Sequence, residues 1–127
     1  MQESMKAVIS EGRGTFKASG TVTKGHIVKP TTTEGTWIHA AAGEAGLAIA
    51  DETVATGEYF SATMIGGTEV VAAEAFATPG TWFMSDASGH ATAVTAVTDR
   101  IVGYTLGIST AAGDVIACFV LPSQYKA

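Results

Sequence analysis

The feature that most constrains this chain is its punctuation. Short β-branched or aromatic runs are interrupted by glycine at nearly every turn, and no segment places apolar residues at helical spacing over ten or more positions. Ile27-Val28-Lys29 stops at Pro30, Thr36-Trp37-Ile38-His39 follows a glycine, and Leu47-Ala48-Ile49 runs into Asp51-Glu52. Further runs are 59–65, Thr68-Glu69-Val70-Val71, Trp82-Phe83-Met84-Ser85, 101–106 and 115–121. Short strands at about 8–12-residue spacing predict an all-β sandwich or barrel. Ile65-Gly66-Gly67-Thr68 reads as a two-residue hairpin, because paired glycines supply the positive φ of a type I′ turn. Asp86-Ala87-Ser88-Gly89 reads as a second turn. Residues 71–77 are the one place where a helical turn or two is expected, ended by Pro79-Gly80.

An internal echo runs through this pattern. Gly25-His26-Ile27-Val28 aligns with Gly80-Thr81-Trp82-Phe83, Gly46-Leu47-Ala48-Ile49 with Gly103-Tyr104-Thr105-Leu106, and Gly57-Glu58-Tyr59-Phe60 with Gly113-Asp114-Val115-Ile116. The offsets of 55, 57 and 56 residues predict two similar β units packed into one barrel, since neither alone buries its apolar face. The 127 residues match one domain, and a chain this size buries roughly two thirds of its unfolded surface.

Charge limits the partners. The formal net charge is −5 and only 15% of residues are charged. That balance repels phosphate, so nucleic acid is not an expected partner. No run is long and apolar enough for a membrane span, and Met1–Lys6 lacks the apolar core of a secretion signal. The single cysteine, Cys118, forms no intrachain disulfide and fits a reducing compartment; among Val115, Ile116, Phe119 and Val120 it reads as a buried, inert thiol. Residues 1–30 carry Lys6, Arg13, Lys17, Lys24 and Lys29 against Glu3 and Glu11, whereas residues 31–120 carry ten acids and one base, Arg100. The basic segment is either an ordinary first strand with solvated lysines or an arm that docks on an acidic neighbour. The domain division adopted is an arm over residues 1–17 and a single β domain over 18–127.

Catalytic chemistry is hard to find. His26, His39 and His90 show no metal-ligand spacing, so no metal, cofactor or catalytic residue is expected. Ser85, Asp86 and His90 lie within six residues of one another around a turn, whereas triads assemble from distant segments. Asp51, Glu52 and Asp114 read as loop caps. Trp37 and Trp82 are core anchors or exposed platforms for a sugar or a neighbouring subunit. Arg100 pairs with Asp99 or with another subunit. What remains is a small, weakly charged β body with flat surfaces suited to contact.

The order of several motifs carries a resemblance. These are the stretch 46–58, Gly66-Gly67 followed by Glu69-Val70-Val71, Pro79-Gly80-Thr81-Trp82-Phe83, Asp86-Ala87-Ser88-Gly89, the stretch 101–107, and Ala111-Ala112-Gly113-Asp114-Val115-Ile116. Over about residues 18–121 the chain resembles the head decoration, or capsid cement, proteins of tailed bacteriophages. The resemblance implies a compact β-barrel or β-tulip and a homotrimer bound to the major capsid protein. It also implies a place on the outer face of the virion, after synthesis in the bacterial cytoplasm. The N-terminal arm would make the contact, with Lys6, Arg13, Phe16 and Lys17 as candidates; Trp37, Trp82 and Arg100 are candidates for contact between subunits. Deleting residues 1–17 is then expected to abolish shell binding and leave the body folded. A carbohydrate-binding or adhesion module, using Trp37, Trp82, Tyr59 or Tyr104, and a tail or head-completion protein are the alternatives.

Overall fold

A computed structural model describes residues 8–10, 12–44, 46–95 and 100–123. These residues form eleven strands and no helix: β1 (Val8–Ser10), β2 (Arg13–Ala18), β3 (Ile27–Pro30), β4 (Thr36–His39), β5 (Ala48–Ala50), β6 (Tyr59–Thr63), β7 (Gly66–Val71), β8 (Trp82–Ser85), β9 (Ala91–Ala93), β10 (Ile101–Thr105) and β11 (Val115–Ser123). The all-β expectation holds. The helical turn expected over 71–77 does not form: Val71 ends β7, and Ala72 and Phe76 make isolated bridges to Ala91 and Ser109. Tertiary pairing outweighs the helix preference of an alanine-rich stretch.

The strands make two sheets, one in the order β1-β2-β4-β3-β5-β6 with β2 also pairing β6, the other β7-β11-β10-β8-β9. The internal echo is a structural repeat. Neighbour for neighbour, β2-β6-β5-β3-β4 corresponds to β7-β11-β10-β8-β9. The bridge Val22–Val54 recurs as Phe76–Ser109. The parallel pair Ala18–Trp37, between β2 and β4, recurs as the bridge Ala72–Ala91. The register corrects one alignment. Ile49 is the cross-strand partner of Ile27, and Tyr104 that of Trp82, so Ile49 corresponds to Tyr104, an offset of 55 and not 57.

The two units do not close into one barrel. In the first, β2 pairs on both sides, with β4 and β6, and Lys17 donates its backbone N–H to Gly35 at 2.9 Å. At the corresponding place in the second, the chain around His26 wedges in. Val71 donates to the Gly25 carbonyl at 2.9 Å, and Ile27 donates to the Gly89 carbonyl at 2.7 Å. Gly89 fits this seam because its φ is +82° and a Cβ would come within 3.0 Å of the Ile27 carbonyl oxygen. The cores follow the same division. Phe16, Val22, Val28, Trp37 and Phe60 fill the first unit. Val70, Phe76, Phe83, Val102, Ile116 and Val120 fill the second, together with Ile27, Ala40 and Ile49 contributed by the first.

Gly66-Gly67 is not a hairpin turn. Both glycines lie in β7, paired with Val120 and Phe119 of β11, while β6 belongs to the other sheet. The reversal is at Met64 and Ile65, whose N–H groups both donate to the Gly12 carbonyl at 2.7 and 3.0 Å. The chain changes sheets at this corner, so the glycines serve the crossing and not a two-strand ladder. The Asp86–Gly89 turn forms as expected. Asp86 Oδ1 accepts from the Ser88 and His90 N–H groups at 2.8 and 2.9 Å, and β8 pairs with β9 across it.

Candidate functional site

Alternation along β2 decides the fate of the basic segment. Arg13, Thr15 and Lys17 are exposed, whereas Gly14, Phe16 and Ala18 are buried. Strand geometry puts Arg13 and Lys17 on one face about 14 Å apart, opposite Thr63 and Tyr59 of β6, with Tyr59 itself exposed. Phe16 corrects the list of candidate contacts. It is 2% exposed and stacks on Trp37 with ring centroids 4.1 Å apart, so it holds the first core and cannot reach a partner. The same strand corrects the boundary at residue 17, because residues 13–18 are sheet, and the deletion 1–17 removes part of the core. Lys6 and the rest of the arm before residue 8 lie outside the described residues.

The tryptophans part company. Trp37 is buried against Phe16 and is a core anchor, not a subunit contact. Trp82 is 44% exposed on the outer face of the second sheet, where it meets Tyr104 edge-on (5.1 Å, 79°). Tyr104 stacks on Phe119 (5.6 Å, 24°). The perpendicular Trp82–Tyr104 pair offers a sugar no coplanar platform. Arg100 lines a shallow surface cavity of about 400 Å³ with Lys29, Pro30, Gly43, Glu44 and Leu47. There Lys29 bonds Glu44 at 2.6 Å and, with the Ala41 N–H, holds the Glu44 carboxyl below its usual pKa. Asp99 lies outside the described residues.

Of the three acids read as loop caps, only Asp114 caps its own turn, accepting from the Thr110 and Ala111 N–H groups, as Glu58 does from that of Ala55. Glu52 instead reaches nine residues along the chain to accept from the Ser61 N–H. Asp51 accepts from the hydroxyls of Thr63 and Thr68, tying β6 to β7 across the sheet change. Ser85 Oγ donates toward the Ala40 and Asp86 carbonyls, which accounts for its burial without a partner histidine. The Cys118 thiol is buried, and desolvation pushes its pKa up to about 12, so it holds almost no thiolate at neutral pH.

One cluster has no signal in sequence spacing. His26, His39 and His90 converge at the seam where the first unit wedges into the second. The His26 ring lies 4.6 Å from His39 and 4.5 Å from His90, and the Nε2 atoms of His26 and His90 are 3.2 Å apart. His39 Nε2 accepts from the Thr23 N–H at 3.1 Å, and His26 Nδ1 is buried without a hydrogen-bond partner. Burial, then His39 and His90, lower the His26 pKa from 6.5 to about 4, against a weaker pull from the Ser88 carbonyl and Asp86. Burial and His90 lower that of His39. Among the described residues no group of three or more His, Cys, Asp or Glu side chains is arranged to hold a metal.

His26 and His39 are folded in their neutral form, so the unfolded chain takes up protons first. Their contribution to stability is complete above about pH 6.5 and is lost as the pH falls toward 4. The thermal midpoint is therefore expected to drop across that window, and His26→Gln to flatten the drop. A midpoint independent of pH between 6.5 and 4 contradicts this account of the seam.

No protein-family model matches the chain, and no curated protein matches it. Among solved structures it is similar to the N base of the head fiber gp8.5 in bacteriophage phi29, with a TM-score of 0.69 and 16% sequence identity over 91% of this chain and 98% of that one. The two-sheet arrangement described above is thus a fold that this chain shares with that base.

Proposed function

We propose that the protein is a structural component of a tailed-bacteriophage head. It binds the outer surface of the assembled capsid as a homotrimer, bridges neighbouring major capsid proteins and stabilises the shell. The observation that carries this reading is the likeness in fold, over nearly the whole length of both chains, to the base of a phage head fiber. The order of motifs shared with the decoration proteins points the same way.

Stabilisation follows from linkage. A protein that binds the assembled shell but not its separated subunits favours assembly by about 2.7 kcal/mol per site at a hundredfold excess over Kd. A copy that bridges capsomers gains further from effective concentration. Arg13 and Lys17, exposed on one face of β2, supply the contact with an acidic capsid surface. Such contacts weaken with salt, because exposed charges are screened within about 10 Å at 0.1 M. The reading involves no catalytic step.

Co-sedimentation with capsids of the cognate phage tests it. The wild type is expected to pellet with shells and raise their melting temperature. The double variant Arg13→Glu, Lys17→Glu is expected to bind at least about tenfold more weakly, or roughly 1.4 kcal/mol, with its fold intact. Failure of the wild type to bind sinks the function. A double variant that binds as tightly as the wild type moves the contact off β2.

A further inference from the structure

The structural repeat makes the two units comparable position by position. The cross-strand pair Ile27–Ile49 in the first unit corresponds to Trp82–Tyr104 in the second. Their surroundings differ. Ile27 and Ile49 are fully buried, because the second unit packs over them. Trp82 and Tyr104 sit on the same face of their own unit, and among the described residues no second unit packs over Trp82, which is 44% exposed. The patch that joins the first unit to the second is thus repeated, with aromatic side chains, on the second unit, where it lies exposed.

The patch is broad. Alternation on β10 and β11 sends Tyr104, Val115, Phe119 and Leu121 outward with Trp82. Leu106, whose N–H donates to the Ala117 carbonyl, continues the face. Leu106 is 51% exposed, Val115 57% and Leu121 39%. Among the described residues its charges lie at the margins: Glu69 on the edge strand β7, and Glu74, which accepts from Thr92 Oγ1 on the opposite edge strand β9. An aromatic centre, an aliphatic surround and a polar rim are the anatomy of a subunit interface.

We infer that the outer face of the second sheet, centred on Trp82, Tyr104 and Phe119, is the surface through which copies of this chain associate. This names the surface for the homotrimer in the proposed function; it rests on that part of the reading and not on the shell. Two observations select a second copy as the occupant. Within the chain, the corresponding face is already covered by a β unit of the same kind. The size also fits. Five strands about 4.8 Å apart, with 27 residues in all at about 3.4 Å each, span roughly 440 Å² in plan. Side chains standing off that plan raise the accessible area toward the ~800 Å² that each partner gives a stable interface. The exposed cations Arg13 and Lys17, which an acidic capsid surface would meet, are on the other sheet.

Light scattering and sedimentation of the purified full chain, without shells, test the inference. From micromolar concentration upward the wild type is expected at a multiple of 12.9 kDa, three times that value for the homotrimer. Trp82→Glu is expected to weaken association about a hundredfold, as loss of a buried aromatic hot spot does, and to run at 12.9 kDa with an unchanged circular dichroism spectrum. Val115→Glu, at an exposed position nearer the other edge, is expected to do the same and stands in if Trp82→Glu misfolds. Tyr59→Glu, exposed on the first sheet, is expected to keep the wild-type mass. A wild type that stays at 12.9 kDa throughout, or Trp82→Glu and Val115→Glu variants that keep its mass, overturns the inference. So does a Trp82→Glu variant that keeps its mass and loses shell binding, since the capsid is then the occupant. An associated wild type that ignores capsids sinks the shell reading and leaves this one standing.

Discussion

Phe16→Ala is expected to lower the stability of the fold by about 3–5 kcal/mol, the usual cost of removing a buried aromatic ring. The ring is 2% exposed, stacked on Trp37 and tilted against Phe60 at 6.2 Å. It also roofs Gly14, where a Cβ would come within 2.4 Å of the Phe16 ring. Deleting it therefore opens a cavity that Trp37 and Phe60 cannot close without leaving their strands. A domain of this size has about 5–15 kcal/mol in all, so the variant stands near the edge of folding. Urea unfolding at constant m-value measures the loss. A loss under about 1 kcal/mol would mean that the first unit repacks freely and that β2 is not its centre. The same reasoning reverses the outcome expected from deleting residues 1–17: that deletion removes Phe16 and most of β2, and should abolish folding before it can report on a partner.

Gly103→Ala is expected to be as damaging, for a different reason. Gly103 lies in β10, the middle strand of the second sheet, between Phe83 and Val120 at a β-bulge. A Cβ there would stand 2.2 Å from the Phe119 carbonyl oxygen and 3.1 Å from the Val120 Cα. These are backbone atoms of a paired strand, so relief requires β11 to move. Overpacking in a core costs about 1–3 kcal/mol and at times more, and a clash with the ladder itself belongs at or above the top of that range. Gly107→Ala is the control, since its nearest neighbour is an ordinary 3.6 Å contact with the Ala117 nitrogen. Thermal melts should separate the two clearly. Equal melting temperatures would show that β11 yields at no cost. A shifted β11 would also displace Phe119 and unstack it from Tyr104, so Gly103→Ala should weaken self-association if it folds at all.

Much of the architecture was legible in the residues. β4 and β8 begin and end where Thr36–His39 and Trp82–Ser85 predict them. The Asp86–Gly89 turn and the Asp114 cap follow from local hydrogen bonding, which a short stretch of sequence specifies by itself. The repeat was visible because glycines needing positive φ recur with it, Gly25 with Gly80 and Gly57 with Gly113. Other features were not legible. Gly66-Gly67 carries the same local signal whether the next strand pairs with β6 or crosses to the other sheet. Arg13–Ala18 alternates as a strand should, but its two cations and its glycine read equally well as an arm. The three histidines are as far as 64 residues apart in sequence and meet only because the first unit wedges into the second.

By itself, then, the sequence determined that this chain is all-β, repeated and sparing of charge, because strand alternation, turn chemistry and composition act over a few residues at a time. Only the tertiary structure decided which of two equivalent sheet faces is covered and which lies bare, and that Trp37 is core while Trp82 is surface. Both tryptophans follow the same Gly-Thr step. What separates them is long-range packing, the direction each strand faces once the two units have docked.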